Sequence, residues 1–117
     1  MDTRAAARRW AQTWERGWRA LDPAEIVALY ADGARFLSSP FRPPEPPRDY
    51  VERVLAEEES ACCEFGEPVV DGDRAAVEWR GSTRLRAGGR EELAGVSLLR
   101  FDREGRVVEQ RDFWNLA

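Results

Sequence analysis

Histidine and lysine are both absent from the chain. The first absence removes the usual near-neutral general base and the commonest metal ligand, and the second removes every Schiff-base mechanism. Any catalysis therefore falls to carboxylates, tyrosine, serine, cysteine or arginine. All 18 basic residues are arginines, and the 22 acidic residues interspersed among them leave a net charge of −4. Phosphate-backbone binding needs a concentrated basic face, so no nucleic-acid partner is expected. Cysteine is confined to Cys62 and Cys63. As neighbours in a strand they point to opposite faces and do not bridge each other, and no cation is aimed at either to make a reactive thiolate. No apolar run approaches the about 20 residues that span a bilayer, and no secretory leader is recognisable. The chain is therefore expected to be cytoplasmic, without a membrane partner, a metal or a cofactor.

Its 117 residues can enclose one modest core, so a single domain, residues 1–117, is expected. Apolar residues at Ala7, Trp10, Trp14, Trp18 and Leu21 recur at intervals of three and four, which stacks them on one face of a helix from residue 3 to about 21. Asp22 and Pro23 form an N-cap and first-turn proline for a second helix lined by Ile26, Val27, Leu29 and Tyr30, with "ADG" ending it. "ARFLSS" reads as a short strand. The segment "PFRPPEPPR" carries five prolines and reads as a pinned, rigid surface loop, the alternative being that it and Arg42 form the mouth of a cavity. A third helix is predicted over 48–58 on the stripe Tyr50, Val51, Val54 and Leu55, fraying at Glu57, Glu58 and Glu59, where acids oppose the helix dipole.

The apolar period then changes to two. Strands are predicted over 60–70, 74–86, 90–101 and 107–116, separated by the glycine turns "DGD", "AGG" and "DREG". This pattern gives an antiparallel meander, and with the helices an α+β domain whose curved sheet diverges from them to leave a cavity.

In this order, "YADGARF", "FGEPVVDGDRAAVEW" and "RFDREGRVVEQRDFW" make the chain resemble the NTF2-like superfamily, and within it the SnoaL-like proteins, over nearly its whole length. The resemblance implies the cone-shaped NTF2-like (cystatin-like) fold, three N-terminal helices packed on a curved antiparallel sheet. That scaffold hosts isomerases, polyketide cyclases, epoxide hydrolases, dehydratases and noncatalytic binders, so it does not choose a function. Ketosteroid isomerisation needs a carboxylate base and an oxyanion hole of Tyr and protonated Asp. The matching positions here are Ser39 for the base, Trp14 for the tyrosine and Ser97 for the aspartate, so that reaction is not expected.

Position matching further implies that Gln110, Asp112 and Trp114 face the cone, along with Gly95, Ser97, Leu99 and Phe101, and with Glu78, Arg80 and Ser82. Composition alone favours the reverse on the middle strand, with Ala75, Val77 and Trp79 in the core and Glu78, Arg80 and Arg84 solvated. The inward assignment of Glu78 and Arg80 leaves Val77, Trp79, Val96, Leu98, Val107 and Phe113 as an outer apolar patch, and thereby predicts a two-fold homodimer through the sheet.

Glu78, Arg80 and Asp112 are the candidate catalytic groups, similar in type to the two aspartates and arginine of limonene-type epoxide hydrolases, although Glu here precedes Arg. The alternative is a structural salt-bridge network. Trp14, Phe36, Ser39, Phe41, Tyr50, Val54, Ser97, Leu99, Gln110 and Trp114 are the candidate ligand-binding residues of an apolar pocket. The expected partner is a small apolar or polycyclic molecule. Two functions stay open: a binder without catalysis, or a small hydrolase, cyclase or isomerase using Asp112 and Glu78 with Arg80.

Overall fold

A computed structural model describes residues 1–117. Helix α1, Thr3–Ala20, starts where the Asp2 side chain accepts the Ala5 N–H, and it buries Trp10, Trp14 and Trp18 along one face, as their spacing predicts. Asp22 caps α2, Pro23–Val27, by accepting the Glu25 N–H. This helix is shorter than expected. Leu29 already offers its carbonyl to the Val107 N–H, and Tyr30 opens strand β1, Tyr30–Leu37. Gly33, at φ 74°, lies inside that strand at a register shift between Tyr30 and Arg35. The "ADG" expected to end a helix is therefore a bulge, which needs the same left-handed backbone.

Helix α3 is Pro47–Ala56, and Glu58 begins strand β2, Glu58–Phe65. The single strand predicted over 60–70 divides into β2 and the short β3, Val69–Asp71, because Gly66 and Pro68 interrupt the ladder between them. Strands β4, Arg74–Leu85, β5, Arg90–Phe101, and β6, Val107–Leu116, match their predicted spans within a residue. The sheet runs β1-β6-β5-β4-β2, with β3 beside β4. Every pair is antiparallel except β1 with β6, so the sheet is mixed rather than a pure meander. The architecture is α+β, as the sequence predicts, with the helices on one face. None of the helices is long and apolar enough to cross a membrane.

Register decides which side chains meet those helices. Residues opposite one another on an antiparallel ladder share a face. Val77 pairs with Ser97, so odd-numbered residues of β4 and β5 lie together. Phe101 pairs with Val107, but Arg100 pairs with Glu109, which leaves Val108 as one extra residue on β6. Beyond this bulge odd pairs with even, and Gln110 and Asp112 turn to the helices with Leu99 and Ser97. Had the Phe101–Val107 register continued without a bulge, Glu109 and Arg111 would lie opposite Leu99 and Ser97 instead.

The expectation that Glu78 and Arg80 face the hollow is therefore corrected. Both are exposed on the outer face, while Ala75, Val77 and Gly81 are buried against the helices and Trp79 is half-buried there. The reading from composition alone was the right one for β4. The outer apolar patch behind the homodimer expectation shrinks accordingly: Val77, Trp79 and Val107 face inward, and Val96, Leu98 and Phe113 remain among charged neighbours. One of those neighbours, Arg111, lies over the Phe113 ring.

Candidate functional site

Between the helices and the concave face of the sheet lies a cavity of about 310 Å³, and all five tryptophans of the chain line it. Trp10, Trp14 and Trp18 descend from α1, Trp79 rises from β4 and Trp114 from β6. Two glycines make room for this wall. A Cβ on Gly81 would stand 2.4 Å from the Trp18 ring, and one on Gly95 would stand 2.3 Å from the Phe113 carbonyl and 2.6 Å from the Trp114 Cβ. Trp14 and Trp18 pack edge to face, as do Trp18 and Trp79, at centroid separations of 6.2 and 6.0 Å, the geometry that ring quadrupoles favour.

Each indole N–H is directed at a protein acceptor. Trp10 donates to Gln110 Oε1 at 3.0 Å, Trp14 to Tyr30 Oη at 3.0 Å, Trp18 to Glu58 Oε1 at 2.8 Å and Trp79 to Ser97 Oγ at 3.0 Å. Trp114 donates to the Ser38 carbonyl. The Tyr30 hydroxyl in turn donates to Gln110 Oε1. Gln110 Oε1 thus accepts twice, which orients its amide so that Nε2 donates to Asp112 Oδ1 at 3.0 Å. Ser97 Oγ, itself receiving from Trp79, donates to the same oxygen at 2.6 Å. Two directed chains of hydrogen bonds therefore converge on Asp112 Oδ1, and Oδ2 takes none from the protein and stays open to the cavity.

Asp112 is 7% exposed and has no arginine beside it. Burial pushes its carboxyl up to about 7, against the opposing pull of the Ser97 and Gln110 hydrogen bonds. A second carboxylate lies at another point of the wall. Glu58 is buried, bonded only through Oε1 to Trp18, and raised to about 7 by burial, with Glu91 and Glu57 adding repulsion. Tyr50 stacks on Phe36 at 4.6 Å and lines the cavity with its hydroxyl unpartnered by the protein. Burial first, then the Asp112 charge, hold that phenol above its ordinary value. Of the two arginines at the cavity wall, Arg53 is forked onto Glu45 at 2.8 and 3.1 Å and Arg42 reaches Ser38 Oγ at 3.3 Å.

Of the residues predicted for the site, Trp14, Tyr50, Val54, Ser97, Gln110, Asp112 and Trp114 line the cavity together. Phe36 and Leu99 lie wholly buried in the core behind it, Ser39 is half-buried off the cavity, and Phe41 is 99% exposed. Glu78 and Arg80 sit across the sheet from Asp112, so the expected trio does not assemble. Sequence reasoning read Glu58 as a fraying helix end. It lies seven residues after Val51 and three after Leu55, the spacing that continues the buried stripe of α3. That spacing was the available signal.

A family model described as "SnoaL-like domain" matches residues 7–110. No curated protein matches the chain. Among solved structures, similarity extends to SalBIII, an epoxide hydrolase/cyclase-like enzyme with a role in pyran ring formation in the polyether salinomycin. It is 17% identical with a TM-score of 0.82, covering 98% of this chain and 95% of that one. An NTF2-like protein of unknown function from Exiguobacterium sp. 255-15 is 14% identical with a TM-score of 0.76, over 94% of this chain and 98% of its own. A candidate isomerase from Bacillus subtilis is 19% identical with a TM-score of 0.79, over 98% and 90%. At these identities the likeness is one of fold, and it agrees with the NTF2-like architecture read from the sequence.

Proposed function

We propose, for a chain that belongs to the SnoaL-like domain family, that Asp112 is the acid–base residue of a small enzyme acting on a compact, largely apolar molecule held between the tryptophans. The observation that carries this reading is a buried carboxylate with one oxygen fixed by Ser97 and Gln110 and the other open to an aromatic cavity. A core needs no such group, because an unpaired buried charge is costly unless something is gained from it. A carboxyl near neutrality is populated in both protonation states at physiological pH, which suits proton transfer. Protonated, it donates through Oδ2 to a carbonyl, ether or epoxide oxygen. Ionised, it takes a proton from a carbon acid, a hydroxyl or a water.

With Glu78 and Arg80 on the outer face, one carboxylate rather than a carboxylate pair with arginine does this work. A single residue that gives and takes a proton suits isomerisation or ring closure, and the names borne by SalBIII and the Bacillus subtilis protein are of that kind. The Tyr50 hydroxyl stays protonated and supplies a second donor to a ligand oxygen.

Native mass spectrometry of protein purified from its source would identify a retained ligand, whose conversion is then followed with wild type and with Asp112→Asn. The substitution should abolish turnover at saturating ligand, where a change in affinity does not enter. Unchanged turnover would remove Asp112 from the reaction, and a ligand that wild type returns unaltered would make the protein a binder.

A further inference from the structure

The cavity wall has an unequal balance of donors and acceptors. Its five indole N–H groups and the Tyr30 and Ser97 hydroxyls are all committed to acceptors within the protein. What remains open toward a ligand is carboxylate oxygen, Asp112 Oδ2 and Glu58 Oε2, together with the ambivalent Tyr50 hydroxyl. Neither carboxylate has a counter-cation. The titratable neighbours of Asp112 are Tyr30 on β1 and Tyr50 on α3; those of Glu58 are Glu57, Tyr50 and Glu91. The cations at the wall, Arg42 and Arg53, are turned to Ser38 and Glu45. Much of the remaining surface is aromatic ring, beside Val54, Leu55 and Leu93, and tryptophan is the strongest of the aromatic partners for a cation.

We propose that the ligand of this cavity carries a basic nitrogen: an apolar, ring-sized body bearing a protonated amine that lies among the indoles and donates to Asp112 and Glu58. Such a group supplies the positive charge that both carboxylates lack and N–H donors for their open oxygens. An anionic ligand meets two carboxylates of its own sign, and the donors left to it are the Tyr50 hydroxyl and, at the exposed edge, the N–H groups of Arg42 not given to Ser38. The inference rests on this cavity being the binding site and deepens that reading by naming the ligand class. An ammonium beside Asp112 holds it ionised, which is compatible with the proton-accepting role given to it above and not with the donating one.

Three probes of one shape and different charge test it: phenethylammonium, n-propylbenzene and phenylacetate, titrated against indole fluorescence, which reports on the cavity because every tryptophan lines it. At about pH 8, with the amine still charged, phenethylammonium should bind about tenfold or more tighter than n-propylbenzene, with phenylacetate weaker than both. The preference should vanish in the double variant Asp112→Asn with Glu58→Gln, whose fold is checked by near-ultraviolet circular dichroism, and should weaken in wild type at about pH 5.5, where both carboxyls are protonated. Equal or better binding of the neutral or anionic probe, no binding of any of the three, or a cation preference that survives the double variant would overturn the proposal. Carboxyl NMR on the same samples separates it from the acid–base reading. Asp112 titrating near neutrality without a cation preference leaves that reading standing, and a cation preference with Asp112 titrating near its ordinary value does the reverse.

Discussion

Replacing Asp112 by asparagine should stabilise the protein at about pH 8 and change it little at about pH 4. The folded carboxyl sits at about 7 against an ordinary 3.8, so between those values the native state binds a proton that the unfolded chain has released. Stability therefore falls as pH rises through this window and levels off above the folded value. At about 1.4 kcal/mol per pH unit, the displacement from 3.8 to about 7 amounts to about 4 kcal/mol, a ceiling because the cavity opens to solvent. Asparagine keeps an Oδ1 that accepts from Ser97 and Gln110, and it places an uncharged amide where Oδ2 met the cavity. The charge is thus removed with little disturbance to the network. Urea unfolding of both proteins from about pH 4 to 8 measures the difference, in which the titrations of all other carboxylates cancel. The variant should gain steadily on wild type, reaching several kcal/mol at the upper end. A difference that stays flat across the series, or one that favours wild type at high pH, would refute the assignment of a buried, uncompensated carboxylate. A gain would also mark Asp112 as a residue held at a cost to stability, as functional groups often are.

Two further outcomes follow from the same geometry. Gly81→Ala would place a methyl 2.4 Å from the Trp18 ring; the overpacking should cost about 1–3 kcal/mol and alter indole fluorescence, and an unchanged melting temperature would mean that Trp18 does not lie on β4. Cys62 is exposed, whereas Cys63 is buried with its thiol pushed up to about 12, chiefly by burial. A thiol reagent at about pH 8 should titrate one cysteine quickly in the native protein and the second only on unfolding. Equal rates would contradict the strand alternation.

Much of the scaffold was legible because its signals are local. The four-residue spacing of Trp10, Trp14 and Trp18 needs only a helix to become a stripe, and α1 buries all three. The turn "DREG" depends on its own residues: Asp102 accepts from the Glu104 and Arg106 N–H groups, and Gly105 takes φ 81°. Asp102 and Gly105 are the residue types such a turn requires. "ADG" was read wrongly because glycine at positive φ serves a helix end and a strand bulge alike, and only pairing with β6 distinguishes them. Glu58 was missed because a charge at the end of a helix suggests solvent until the sheet and Trp18 close over it.

Composition and periodicity by themselves determined an α+β fold with three helices, strands ending at their glycine turns, an aromatic helix face, and a chain without lysine or histidine, in which carboxylates are foremost among the few groups left for acid–base chemistry. They did not determine which carboxylates. Alternation along a strand defines two sets of side chains but not the face each set occupies, since a shift of one residue exchanges them. Tertiary structure made that choice twice. The β4–β5 register placed Trp79 inside and Glu78 and Arg80 outside, and the extra residue Val108 reversed the alternation on β6 so that Gln110 and Asp112, rather than Glu109 and Arg111, lie opposite Leu99 and Ser97 and look into the cavity.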